Sequence, residues 1–385
     1  MKYGVNIMKW RGVRLLLGAV SAVLLLASVD GKAAAQDIWF VGVGPLTGPN
    51  AELGQSMKRG VTWAVEKINS EGGINGVMVA ADFFDDEAKP EPAANVAQRI
   101  VASGKYTAVI GHVNSSNTLA AAPIYARANM PQIVATSSNP SITQQGWTHL
   151  VRIVPNDDLN GPAQVMAAVE ILGAKKLAFI FENTDFGNYL AETAARTAKE
   201  LGVEVVASEA YTAGRDTDFS AQITKFKARG ADGLLHFGAY GEGGLILNQA
   251  RRLGLTPDAK IALAGADAHD EIVGLAGKEA IEGAILINVF DPWRNTPQAQ
   301  SFLKMVETQR GRIPDPEEAF HYEATLLAAE GLKQGATKET LIQTIREMTF
   351  EGPTGVNQFD ETGEVIGKAF GLFIYKDGKM TSFEG

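Results

Sequence analysis

The chain has no cysteine, which excludes disulfides, thiolate metal sites and cysteine nucleophiles together. An exported protein of this size does without disulfides because its core is large enough. Histidine is scarce as well. His112, His149, His236, His269 and His321 fall in separate segments, with no H-E-x-x-H and no G-x-S-x-G. His269-Asp270-Glu271 are adjacent, so their side chains diverge, and a solvated loop suits them better than a metal site. Long apolar runs are absent too. Leu15 to Ala27 (LLLGAVSAVLLLA) is too short to span a bilayer comfortably, and it follows Lys2, Lys9, Arg11 and Arg14 and precedes Ala33-Ala34-Ala35. These features predict a signal peptide over 1–35 with Gln36 first in the mature chain, an exported soluble protein and no stable membrane insertion after cleavage. An uncleaved anchor is the alternative. No cysteine at the cleavage point suggests lipid attachment.

Positive charge is also in deficit. The formal net charge is −9, and removing the leader's five cations and one acid leaves −13. So acidic a surface argues against a nucleic-acid partner. Nothing in the sequence asks for a cofactor or a metal.

What is present is regular. About 350 mature residues exceed a usual single core, and a short β-branched run, a turn and an amphipathic helix recur along them. Ile38–Val43 reads as a strand and Ala51–Ser70 as a helix, with Leu53, Met57, Val61, Val65 and Ile68 on one face. The pattern continues through Val77–Phe84, Glu91–Ser103, Ala108–Ile110 and Ser116–Ala128, and resumes from Lys176–Phe181 to Glu242–Leu253. Such alternation predicts parallel sheets covered by helices on both faces, here in two Rossmann-like α/β lobes. In these sheets ligands sit beyond the carboxyl ends of the strands.

The first such loop, "VGVGPLTG" at 41–48, carries three glycines. Its spacing, Gly42-x-Gly44-x-x-x-Gly48 with Pro45 inside, departs from the dinucleotide fingerprint, although Asp85 and Asp86 lie near the place of that motif's acidic residue. A plain glycine-rich turn from strand to helix is the other reading.

Three stretches then carry a resemblance: "GPLTGPNAELGQSMKRGVTWAVEKINSEGGINGVMV", "VIGHVNSSNTLAAAPIYARANMPQIVATSSNPSIT" and "YTAGRDTDFSAQITKFKARGADGLL". In order and across the mature chain, they resemble the periplasmic substrate-binding proteins of branched-chain amino-acid ABC transporters, the leucine/isoleucine/valine-binding family. The resemblance implies a type I periplasmic binding protein fold, two lobes joined by a three-crossing hinge, and a receptor that delivers an amino acid to a membrane permease. It places the crossings near Val154-Pro155, Asn288-Val289 and Gly352-Pro353. The amino-terminal lobe is then 36–154 plus 288–352, and the other lobe 155–287 plus 353–385.

An α-amino acid presents a carboxylate and an ammonium close together, so its pocket needs donors at one end and a carboxylate at the other. By the resemblance, Ser115 binds the ligand carboxylate, and its place beside a helix start allows an anion to be held without lysine or arginine. Ser138 stands where relatives have threonine, with backbone contacts expected at Thr136 and Ser137. Serines in such loops also cap helices and form turns. For the ammonium the resemblance points to Asp267, one methylene shorter than the family's glutamate; a cap or surface carboxylate is the alternative. Tyr240 is expected either over the ligand or in the core. Phe186 replaces the usual tyrosine and Leu53 a bulkier residue at the side-chain pocket. Ala88 and Asn114 stand where some relatives carry a disulfide pair. A receptor for amides, urea or aromatic acids on the same fold remains an alternative. So does a secreted α/β hydrolase, although His112 precedes Ser115 with no orienting acid assignable from sequence.

Overall fold

The computed structural model describes residues 38–255, 260–263 and 265–383, so the signal peptide expected at 1–35 lies outside the described residues. The chain opens with β1 (Ile38–Gly44), α1 (Ala51–Ser70), β2 (Val79–Asp85), α2 (Pro90–Ser103), β3 (Ala108–Gly111), α3 (Ser115–Arg127), β4 (Gln132–Val134) and β5 (Leu150–Arg152). These strands form a parallel sheet in the order β2-β1-β3-β4-β5. β3 and β4 are buried throughout, as strands covered on both faces must be.

A second series follows: α4 (Asn160–Met166), β6 (Lys176–Glu182), α5 (Asp185–Glu200), β7 (Glu204–Tyr211), α6 (Ser220–Ala228), β8 (Gly233–Phe237), α7 (Tyr240–Arg252), β9 (Ile261–Leu263), α8 (Glu271–Ala276), α9 (Lys278–Ile281) and β10 (Ile285–Asn288). Three helices come next, α10 (Pro297–Arg310), α11 (Pro316–Lys333) and α12 (Leu341–Glu347), then the short hairpin β11 (Phe350–Gly352) with β12 (Gly355–Asn357), and finally β13 (Gly371–Lys376) and β14 (Lys379–Ser382). The second sheet runs β14-β13-β10-β9-β8-β6-β7.

Two α/β units with central parallel sheets therefore stand as expected, but the second sheet is not wholly parallel. β13 pairs antiparallel with β10, and β14 with β13. The turn between the last two is Asp377-Gly378, both at positive φ (53° and 73°), which is the backbone a two-residue hairpin requires.

The helices after β10 return to the first sheet. α11 begins in a capping box, where Asp315 accepts from the Glu318 amide at 2.8 Å and Glu318 accepts from the Asp315 amide at 3.2 Å. It packs along α1 at a point where no side chain fits. A Cβ on Gly60 would stand 2.4 Å from the Glu318 carbonyl oxygen and 3.0 Å from the Tyr322 amide. Trp63 and Phe302 close the α1–α10 side edge to face, 6.3 Å between centroids.

The residues after Pro353 also stay with the first unit, beyond the crossing expected at Gly352-Pro353. The Lys368 ammonium, buried, donates to Glu323 of α11 at 2.8 Å, to Thr354 at 2.7 Å and to Asn357 at 2.9 Å. Arg152 and Glu364 form a buried ion pair nearby. The chain thus joins the second sheet only after Lys368, because a buried ammonium without its carboxylate would be costly.

Replacing Gly60 by valine must push α11 off α1. A lowered urea midpoint, worth about 2 kcal/mol or more, is expected; an unchanged midpoint would show that the two helices do not depend on this approach.

Candidate functional site

The carboxyl ends of both sheets face one another across a cleft of about 680 Å³, its open mouth included. From the first unit, the loop after β1 and the start of α1 contribute Asn50 and Leu53, the loop after β3 and the start of α3 contribute Val113 to Asn117, and the segment after β4 contributes Thr136 and Ser138. From the second unit come Glu182 and Thr184 at the end of β6, Phe186 in the first turn of α5, and Ala213, Ala239 and Ala266 after later strands. Glu317 enters from the first turn of α11. An adjoining pocket shares Thr136, Ser138, Phe186, Ala266 and Glu317 and adds Val154, Asp157, Asn160, Val289, Pro316 and Phe320.

The glycine loop is built to turn. The Leu46 amide and the Thr47 hydroxyl donate to Asp85 at 2.9 and 2.5 Å. The acid expected near a ribose under the dinucleotide reading is spent on holding this loop.

Of the eight residues expected at the site, Leu53, Ser115, Thr136, Ser138 and Phe186 line the cleft. Ser115 opens α3, whose first amides have no partner within the helix, and its hydroxyl accepts from the Asn139 amide at 3.3 Å. The Asn114 side chain makes no capping bond at this helix start. Ser138 donates to Asp157 at 2.8 Å, and the Asp157 amide returns a bond to the Ser138 carbonyl at 3.0 Å. Arg152 fixes the same loop by donating to the Asn139 carbonyl at 2.5 Å.

Ser137, Tyr240 and Asp267 do not line it. Ser137 is buried, and its hydroxyl is committed to the carbonyls of His112 and Val113. Tyr240 stacks on His269 at 4.6 Å between centroids. Asp267 is fully buried, and its carboxylate accepts from His236 Nδ1 at 2.9 Å. The short side chain is met by His236 on β8.

The acids that do face the cleft are Glu182 and Glu317, each 6% exposed. Burial raises the Glu182 carboxyl to about 7 against a bond from Thr184 at 2.7 Å. Burial, with the Asp315 carboxylate behind it, raises Glu317 to about 8. Among the described residues no lysine or arginine lines the cleft or the adjoining pocket. Asn117 also lines the cleft, wholly buried, with neither side-chain atom paired. Glu182 was legible as an acid closing a strand before the capping threonine of α5; in "DPEEAF" the capping box masks Glu317.

The two units touch around the cleft. The Asp185 amide donates to the Ser116 hydroxyl at 3.0 Å, and the Asn139 side chain donates to the Asp185 carbonyl at 2.7 Å. On the opposite side His269 of the second unit meets Ser56 and Asp315 of the first, both at 3.3 Å, with Glu271 at its other nitrogen. A serine, a histidine and an acid in line invite comparison with a hydrolase. Burial would lower His269, but the bonds to Asp315 and Glu271 outweigh it and raise it to about 10. The ring is thus protonated near neutrality and accepts no proton, while the buried Ser56 donates to Asp315 at 2.7 Å. His269 with Asp315 and Glu271 is an ion-paired contact between the two units, to which Ser56 adds a hydrogen bond. His112, fully buried, bonds Asp86 at 2.7 Å and Tyr125 at 3.2 Å and does not serve Ser115.

Among the described residues no helix is long and apolar enough to cross a membrane. Residues 40–379 match the pattern described as periplasmic binding protein. A leucine-, isoleucine-, valine-, threonine- and alanine-binding protein of Pseudomonas aeruginosa is 31% identical over 373 residues, covering 95% of this chain and 96% of its own length. A leucine binding protein of Thermotoga maritima superposes with a TM-score of 0.83 at 27% identity over 90% of this chain and 98% of that one. The branched-chain amino acid transporter substrate binding protein of Streptococcus pneumoniae, solved with isoleucine, gives 0.82 at 27% identity over 90% and 98%.

Glu317 makes a pH prediction. Unfolded, it loses its proton near 4.5; folded, among Asp315, Glu318, cationic His269 and His321, it keeps the proton to about 8. Its contribution to stability therefore declines as pH rises from about 4.5 to about 8. Relative to the parent, Glu317→Gln should gain several degrees in melting temperature between pH 5 and pH 8.5; a difference that does not change with pH would contradict this placement.

Proposed function

The chain belongs to the periplasmic binding protein family, and from that premise we propose that it is the extracytoplasmic receptor of an ABC importer, binding an amino acid between two closing lobes. The observation that carries the reading is the division of chemistry across the cleft. Amides without a partner inside the helix and the Ser115 hydroxyl, at the start of α3, stand on one lobe, and the buried carboxyl of Glu182 stands on the other. A zwitterion laid across the cleft places its carboxylate at Ser115 and the α3 amides, where a helix start stabilises negative charge. Its ammonium meets Glu182, which then releases the proton that burial favours. Because the two ends sit on different lobes, the solute bridges them, and binding favours closure. Glu182 takes the part that the sequence reading gave to Asp267, and Asp267 orients His236 beneath it.

The lobes we assign are 36–154 with 288 to about 368, and 155–287 with the residues from about 369 onward. The receptor is periplasmic, as the family's name implies, and hands its solute to a membrane permease. Amides and urea suit the hydroxyls but leave a buried carboxylate without a cation. Aromatic acids suit the α3 start but meet two more acids and no lysine or arginine.

Calorimetric titration of protein unfolded and refolded to remove carried solute tests this directly. Micromolar or tighter binding, about 8 kcal/mol or more, is expected from L-amino acids and not from simple amides or carboxylic acids. Ser115→Ala should weaken it about tenfold, the loss of one hydrogen bond to a charged group. Heat from the amides or acids alone would sink the amino-acid reading.

A further inference from the structure

Beyond the first pocket, where the α-carboxylate and α-ammonium are placed, the cleft continues into the adjoining one. Its walls are partly apolar. Val154, Phe186, Val289 and Phe320 form a lining suited to methylenes. Its polar content is unlike that of an aliphatic side-chain pocket, because Glu317 stands where the two pockets join and Asp157 lies behind Ser138. Asp157 is fully buried, accepts from Ser138 at 2.8 Å and Asn160 at 3.2 Å, and is raised by burial to about 7. Two carboxyls around a half-apolar channel with no lysine or arginine among the lining residues present acceptors and no cation.

A leucine or isoleucine side chain would shut Glu317 away from water with nothing to bind it, which is unfavourable for an isolated charge and for a retained proton alike. A long apolar stem ending in a cation removes that cost. The stem covers the four apolar walls, and the charge displaces the proton from Glu317. Asn117, wholly buried with neither side-chain atom paired, lines the first pocket and offers a polar occupant a partner there.

We infer that this receptor takes amino acids whose side chain ends in an ammonium or guanidinium group, with Glu317 as the residue that selects them and Asp157 behind it. The inference rests on the amino-acid reading above.

The test titrates the refolded full chain with L-ornithine, L-lysine and L-arginine beside L-leucine and L-norleucine, the last matching the stem without the charge. At least one basic amino acid should bind ten times or more tighter than norleucine. Glu317→Gln should remove most of that preference, and Glu317→Asp, which keeps the charge, should restore part of it. Ser115→Ala should instead weaken every amino acid alike. Because Glu317→Gln relieves a buried acid, its melting curve serves as the folding control. Leucine or norleucine binding as tightly as the basic amino acids, or a preference untouched by Glu317→Gln, would overturn the inference and leave the receptor reading intact. Binding of amides or carboxylic acids with no amino acid bound would overturn both.

Discussion

The packing of α11 on α1 is the contact on which the rest depends. At Gly60 the two helices approach backbone to backbone, and that approach fixes a helix drawn from late in the chain against the first sheet. Four functions hang from it. Asp315 at its cap receives His269, Glu317 in its first turn faces the solute cleft, Glu318 pairs with Arg59 and Arg312, and Glu323 holds the buried Lys368 where the chain leaves for the second sheet. Charge, cleft and hinge are therefore mechanically one element. A late segment docked on an early helix is also what makes the lobes discontinuous in sequence.

The electrostatics follow a single logic. Among the described residues no lysine or arginine lines the cleft, so the anion site we propose relies on the amides of a helix start and on hydroxyls, which carry partial charge at little desolvation cost. The carboxyls that line it, Glu182 and Glu317, are buried, which favours their protonated forms. On the proposed reading they would ionise only for a cationic solute, whose charge offsets the cost of desolvation. The contact on the far side is opposite in character. Burial tells against charge on His269, but Asp315 and Glu271 beside it outweigh that and favour the protonated ring, which makes an ion pair across the units.

Much of this was legible in the sequence. The alternation of short β-branched runs with amphipathic helices predicted α1 over Ala51–Ser70 to the residue, and the family resemblance, read onto the segments after the strands, pointed to Ser115, Thr136, Ser138, Leu53 and Phe186, which line the cleft. Three things were not. The antiparallel β13–β14 hairpin follows the long helical stretch, where the expectation of parallel strands concealed the Asp377-Gly378 turn. Asp267 matched a motif position, but reach is not a property of position, and His236 on a neighbouring strand takes its shorter carboxylate. Glu317 was hidden because "DPEEAF" reads as a complete helix start, in which Asp315 and Glu318 account for the local hydrogen bonds. That the remaining glutamate faces a cleft is decided by docking on a helix more than two hundred residues earlier, which local pattern does not carry.

The central claim is an orientation: carboxylate at the start of α3, nitrogen at the buried acids. A crystal structure of the full chain with its bound amino acid tests it most directly. The account predicts the α-carboxylate oxygens within hydrogen-bond distance of the Ser115 hydroxyl and the first α3 amides, and the α-nitrogen against Glu182. A solute lying the other way round, or an α-nitrogen bonded to Asp267 with Glu182 facing water, would contradict it.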